Sequence, residues 1–166
     1  LEALGVEGCN YFRTPVPEVS VPDIKKNGKF RILLIGHMIG IATLSGLELF
    51  TKDILPTLIN NLGEDNFEVH IVGGFFETMP QSIKIGLSAQ NIIIRGQVTP
   101  SESEFLSADV LLVPTPIELG IRVRIITGFS LGSLIVAHAA NAKGIPELES
   151  DKNCLLGENG QELAAQ

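Results

Sequence analysis

Six short apolar runs, each closing on a glycine, a proline or a small residue, constrain this chain more than any other feature. They are "FRILLIG" from Phe30, "FEVHIVGG" from Phe67, "NIIIRG" from Asn91, "DVLLVP" from Asp109, "SLIVAHA" from Ser133 and "NCLLG" from Asn153. Short runs rich in β-branched residues and leucine, with no polar alternation, are the pattern of strands buried on both faces. Segments with helical spacing separate them, and strands alternating with helices imply right-handed βαβ crossovers. The expected fold is α/β: a doubly wound, mostly parallel sheet of about six strands with helices on both faces. A hydrophobic content of 45% in 166 residues, with mean hydropathy +0.30, supplies enough apolar surface for one such domain.

Several helices carry local signals. Ser45 and Glu48 have the spacing of a capping box. Leu47, Phe50, Ile54, Leu58 and Leu62 make one stripe that Gly63 would cap, and Pro56 inside the stripe predicts a kink. A weaker helix falls within 80–89, Ser101 and Glu104 form a second capping box, and a helical region covers about 121–131. Residues 1–29 carry Pro15, Pro17 and Pro22 and end in "KKNGK", which reads as a connector or the end of a preceding domain. The domain proper is expected over 30–166. "NGQELAAQ" opens like a helix and stops, the first residue is Leu, and no signal-peptide pattern precedes the domain, so a fragment truncated at its last helix is expected.

Composition excludes some functions. A net charge of −7 and a pI of about 4.9 argue against a nucleic-acid partner, whose affinity needs many cations. Cys9 and Cys154 build neither a disulfide framework nor zinc spacing, which fits a reducing, cytoplasmic setting. The longest run without Asp, Glu, Lys or Arg extends from Ile125 to Ala142, but Gly128, Ser130, Gly132, Ser133, His138 and Asn141 interrupt it. A buried helix followed by a buried strand is expected there, not a membrane span.

In a doubly wound sheet, ligands bind beyond the carboxyl ends of the strands. After the first strand, Gly36, Gly40 and Gly46 do not make G-x-G-x-x-G, no acidic residue closes the second strand, and no Walker pattern occurs. The loop admits two readings: close backbone approach to an anion, or an ordinary tight βα turn. His37 and His138 fall at strand ends, whereas His70 lies mid-strand as a sheet-packing residue. No histidine or cysteine has metal-ligand spacing, and no G-x-S-x-G elbow occurs. The stretch "PTPIELGIRVRIITGFSLG", 114–132, places Glu118, Arg122 and Arg124 in otherwise uncharged sequence. Arg122 near a helix start opposes the helix dipole, and a bound anion would remove the conflict. Surface arginines paired with acidic side chains are the alternative.

The residues here resemble a family. "PTPIELGIRVRIITGFSLGSLIVAHAANAKGIPEL" is similar to the donor-binding half of retaining GT-B glycosyltransferases of the family 4, or group 1, type. Pro114, Thr115 and Glu118 fit P-S-x-x-E. Gly120, Arg122, Arg124 and Gly132 fit a subgroup reading G-x-R-x-K-x-x-E-A-x-A-x-G, and Gly144, Pro146 and Glu147 fit G-x-P-E. The resemblance covers about 30–166 and implies a Rossmann-like domain that binds a UDP-, GDP- or ADP-linked sugar without an essential metal or other cofactor. It implies that Arg122 and Arg124 neutralise the diphosphate and that Glu118 bonds the donor sugar. Gly36 and His37 would approach the diphosphate, in the place of the arginine common in the family. Gly96, Gln97 and Val98 would edge the base, and Leu119 and Gly120 would line the donor site. The family's ribose-binding glutamate falls on Thr127, which can share one hydrogen bond but offers no carboxylate. The acceptor site would belong to a missing N-terminal GT-B domain, through which alone membrane association would arise. The isolated fragment is accordingly expected to be inactive. A degenerate GT-B domain that binds a nucleotide or protein without turnover, and a part of a nucleotide-sugar epimerase, are the rival readings.

Overall fold

The computed structural model describes residues 28–166; of the expected connector, all but Gly28 and Lys29 lies outside the described residues. The six apolar runs form six strands: β1 (Phe30–Ile35), β2 (Phe67–Val72), β3 (Ile92–Gly96), β4 (Val110–Val113), β5 (Leu134–His138) and β6 (Leu155–Gly157). They lie in one sheet in the order β3-β2-β1-β4-β5-β6, and every pairing is parallel. The order reverses between β1 and β4, which opens a crevice at their carboxyl ends.

The described residues form six α-helices, five between strands and one after β6: α1 (Ile41–Leu49), α2 (Leu55–Leu62), α3 (Gln81–Gly86), α4 (Glu102–Ser107), α5 (Val123–Ser130) and α6 (Gly160–Ala165). Successive side chains of a strand point to opposite faces. Ile32 and Leu34 of β1 therefore pack with Leu47, Phe50, Ile54 and Leu58 on one side, while Leu33 packs with Phe105, Ile125 and Ile135 on the other. The uncharged run from Ile125 to Ala142 is divided between α5, β5 and the turn after β5, as expected. No described helix is long and apolar enough to cross a membrane.

Two local expectations are corrected, and a third gains detail. The first helix starts at Ile41, not at Ser45: the Gly40 carbonyl accepts from the amides of Thr43 and Leu44, each at 2.9 Å, so the turn begins on the glycine. Ser45, now inside the helix, donates its hydroxyl to the Ala42 carbonyl at 3.1 Å. At Pro56 the helix is disturbed, as the sequence suggested. The preceding Phe50–Ile54 widens into a π-helical stretch and places the proline in the first turn of α2, where its missing N–H leaves no hydrogen bond unmade. The second capping box also fails, because Ser101 makes no side-chain cap and Glu104 turns inward.

Glu104 turns inward to join an ionic network on the α4 face of the sheet. Arg31 Nε donates to Glu68 Oε1 at 2.7 Å, and His70 Nε2 lies 2.9 Å from the same oxygen. His70 Nδ1 is 3.8 Å from Glu104 Oε2, and Arg95 Nη2 donates to Glu104 Oε1 at 3.1 Å. The chain of charges ties β1, β2 and β3 to α4, and so fixes the helix that supplies Ser101 and Phe105 to the crevice. Burial alone would raise the Glu68 carboxyl, but the hydrogen-bonded Arg31 and the adjacent His70 outweigh it and hold it below its usual value. A carboxyl with a lowered folded value contributes stability that is complete above its unfolded value, near 4.5, and disappears as pH falls through the folded value. Glu68→Gln is expected to flatten this part of the acid dependence, measured by urea denaturation at a series of pH values between about 3 and 7. Parallel curves for the two proteins would contradict the pairing.

Candidate functional site

The crevice between β1 and β4 is walled by the first turn of α1, by α4 and by the start of α5. It forms a cleft of about 390 Å³ lined by Gly36, His37, Thr43, Ser101, Arg122, Arg124 and Thr127, among others. Five of the residues singled out from the sequence thus meet in one place: Gly36, His37, Arg122, Arg124 and Thr127. Glu118, Leu119 and Gly120 lie on the exposed loop between β4 and α5, outside the lining of the cleft. Gly96, Gln97 and Val98 close β3, two strands from β1 along the same edge of the sheet. Among the described residues, no group of three His, Cys, Asp or Glu side chains stands together as a metal site.

The two arginines have different surroundings. Arg124, in the first turn of α5, reaches across the crevice and is held by neutral oxygens. Its Nη1 donates to the Ile35 carbonyl at 3.0 Å and to Thr43 Oγ1 at 3.3 Å, and its Nη2 donates to Thr115 Oγ1 at 3.0 Å. One guanidinium therefore joins the end of β1, the start of α1, the end of β4 and α5. A Cβ at Gly36 would overlap Arg124 Nη1, so the glycine is where the fork is admitted. Arg122 caps the same helix with extended backbone and makes one weak contact, Nη2 to the Ile117 carbonyl at 3.5 Å. Its Nε is buried without a partner.

Neither arginine pairs with a carboxylate among the described residues. Burial, and then the neighbouring Arg122 charge, pushes the Arg124 guanidinium down to about 10; burial also lowers Arg122. Both remain charged near neutral pH. Two cations facing one cleft, with no counter-charge among the described residues, form an electrostatic site for an anion. That distribution disfavours the alternative of surface arginines neutralised by acidic side chains.

Sequence reasoning missed the residues that hold Arg124. Thr43 and Thr115 are hydroxyls of no distinctive spacing, and only the fold brings them together. It also missed Asn141, buried after β5, whose Nδ2 lies 3.4, 3.2 and 2.7 Å from the carbonyls of Val113, Thr115 and His138 and so bridges the ends of β4 and β5. Gly144 and Gly120, from the two glycine motifs, meet back to back: a Cβ at Gly144 would overlap the Gly120 carbonyl, and Gly120 has φ of +49°.

Gly36→Ala is expected to cost ~1–3 kcal/mol, because a guanidinium held by three acceptors cannot give way freely. In the double variant with Arg124→Ala that cost should shrink by at least ~0.5 kcal/mol relative to additivity, as read by denaturant titration of the four proteins. Strict additivity would show that the two side chains do not share this space.

Comparison with known proteins agrees with the geometry. Residues 29–166 match the family model of glycosyl transferases group 1. No curated protein matches the sequence. Among solved structures, an S. aureus TarM variant in complex with fondaparinux, α-GlcNAc-glycerol and UDP is similar, with a TM-score of 0.70 at 14% identity over 98% of this chain and 34% of its own. HepE from Anabaena, in complex with UDP and glucose, has a TM-score of 0.68 at 14% identity over 83% of this chain and 37% of its own. Sucrose-phosphate synthase from Thermosynechococcus elongatus has a TM-score of 0.63 at 13% identity over 82% of this chain and 35% of its own. The chain thus spans about a third of the length of these proteins. With the matched family and the parallel six-stranded sheet, this chain belongs to the group 1 glycosyl transferases, and its described residues form a Rossmann-like domain of the GT-B type.

Proposed function

We propose that this chain is the donor-binding domain of a retaining glycosyltransferase, which transfers a sugar from a nucleoside diphosphate sugar to an acceptor. The observation that carries the reading is the pair Arg122 and Arg124, two cations at the β1–β4 crevice with no carboxylate partner among the described residues. When the bond between the sugar and the diphosphate breaks, negative charge grows on the departing phosphate oxygens. Fixed cations at that place stabilise the transition state more than the ground state. Arg122, with one long hydrogen bond against the three of Arg124, is the more available donor; Arg124 adds its charge while holding the floor of the site in shape.

In this reading Gly36 and His37 approach the diphosphate, Leu119 and Gly120 border the donor, Glu118 bonds the sugar from the β4–α5 loop, and Thr127 faces the ribose. The backbone of Gly96, Gln97 and Val98 borders the base. UDP in the TarM and HepE complexes supports a nucleotide donor for this chain. The chemistry requires no metal or other cofactor, because the arginines supply the positive charge. A second, N-terminal domain provides the acceptor site and any contact with a membrane, and the protein acts in the cytoplasm.

Titration calorimetry with UDP, GDP and ADP tests the donor site. Saturable binding of at least one is expected, and Arg122→Ala should weaken it roughly 10- to 100-fold through loss of a charge-assisted hydrogen bond. No binding of any of the three would overturn the donor-site reading. A second reading, a domain that binds a nucleotide without turnover, is favoured by Thr127 standing where the family carries a ribose-binding glutamate. Thr127→Glu is expected to tighten nucleotide binding if the ribose lies there, and unchanged affinity would remove Thr127 from the site. The isolated chain should show no sugar transfer; turnover of a nucleotide sugar by residues 1–166 alone would contradict the need for a second domain.

A further inference from the structure

The loop after β2 contains a bulky apolar residue that combines a left-handed backbone with an exposed side chain. Phe75 has φ of +69°, in the left-handed region that a bulky side chain rarely adopts. Its ring is 55% exposed, while its neighbour Phe76 packs against the core, so burial does not explain the choice of residue. Asp151 is the only other described non-glycine residue with positive φ, and it lies in a polar turn where short polar side chains tolerate that region. Strain of this sort persists only where the surrounding structure enforces it, and it concentrates at ligand sites.

The enforcement is visible. The Gly36 amide donates to the Val72 carbonyl at 3.0 Å, the Met38 amide to the Gly74 carbonyl at 3.4 Å, and the Gly73 amide to the Gly96 carbonyl at 2.7 Å. These bonds weld the loops after β1, β2 and β3 into one continuous rim. Phe75 stands on it in a T-shaped pair with His37, ring centroids 4.9 Å apart and planes at 80°. His37 lines the arginine cleft, and on the other side of the loop a Cβ at Gly74 would lie 3.1 Å from Gln97 Oε1. A T-shaped pair covers at most one flat face of each ring, so the exposed Phe75 keeps aromatic surface open to a ligand.

We propose that Phe75, braced by His37, is the stacking platform for the base of the bound nucleotide. This rests on the nucleotide-sugar reading of the same cleft and adds the residue that recognises the uncharged half of the ligand. The phosphates sit at Arg122, the base lies over the rim towards β3, its edge meets the Gly96–Val98 backbone, and its face meets Phe75. Stacking on an aromatic ring is tolerant of base identity, because every base has a π-face. Phe75 therefore sets whether a nucleoside is bound, and the backbone after β3 sets which one.

Calorimetric titration of the chain and its Phe75→Gly and Phe75→Tyr variants with UDP, and in parallel with inorganic pyrophosphate, tests this. Glycine accepts positive φ, so the first variant removes the ring without straining the loop. It is expected to weaken UDP roughly 5- to 150-fold while leaving pyrophosphate within about 2-fold, and Phe75→Tyr should retain UDP. UDP affinity unchanged in Phe75→Gly would overturn the platform. Equal weakening of UDP and pyrophosphate would overturn it as well, by assigning Phe75 to the shape of the anion cleft. If the unsubstituted chain binds pyrophosphate but binds UDP no more tightly, the platform fails and the anion site stands. Binding of neither ligand overturns both readings.

Discussion

The guanidinium of Arg124 is the junction on which the site depends. It lies where four elements converge, and its three hydrogen bonds replace the strand pairing that ends at the β1–β4 crevice. A positive charge in this place is costly, since burial pushes its pKa down to about 10 and Arg122 adds repulsion. The neutral acceptors offset part of that cost, and the remainder is a standing attraction for an anion. Structure and function meet in one group: the side chain that closes the floor of the cleft also charges it.

Around this junction the chain builds the cleft from rigid parts. α4 is tied to three strands through Arg31, Glu68, His70, Glu104 and Arg95, and the ends of β4 and β5 are clasped by Asn141. The β4–α5 loop, with Glu118, is the exposed part of the rim. The two arginines thus sit on packed elements, whereas Glu118 stands on an exposed loop. Thr127 lines the same cleft as the arginines.

The sheet was legible because buried parallel strands leave a strong imprint. All six runs became strands, and the arginines of the fourth connection did converge at the crevice. Helix starts were less legible. Ser45–Glu48 and Ser101–Glu104 have the spacing of capping boxes, but spacing does not reveal competing partners: Gly40 opened α1 a turn early, and Arg95 and His70 took Glu104 into the interior. Pro56 was visible as a disturbance, yet its resolution as a π-helical stretch depends on how Phe50 and Ile54 pack. Phe75 left no trace, because positive φ is signalled in a sequence by glycine or asparagine and here falls on a bulky residue in a loop bonded to its neighbours. Partners distant in sequence, such as Thr43 and Thr115 for Arg124, can be read only from the fold.

The contact between Gly144 and Gly120 adds a steric coupling to the hydrogen bonds by which Asn141 already joins the segments after β4 and β5. The carbonyl of one residue occupies the volume in which the other would carry a side chain, so the segments after β4 and β5 can shift only as a pair. A change to the chain beyond β5 would therefore reach Arg122 through displaced backbone and without approaching any ligand. The shape of the cleft is in this sense held partly outside it, by a place where the protein has no atoms to spare.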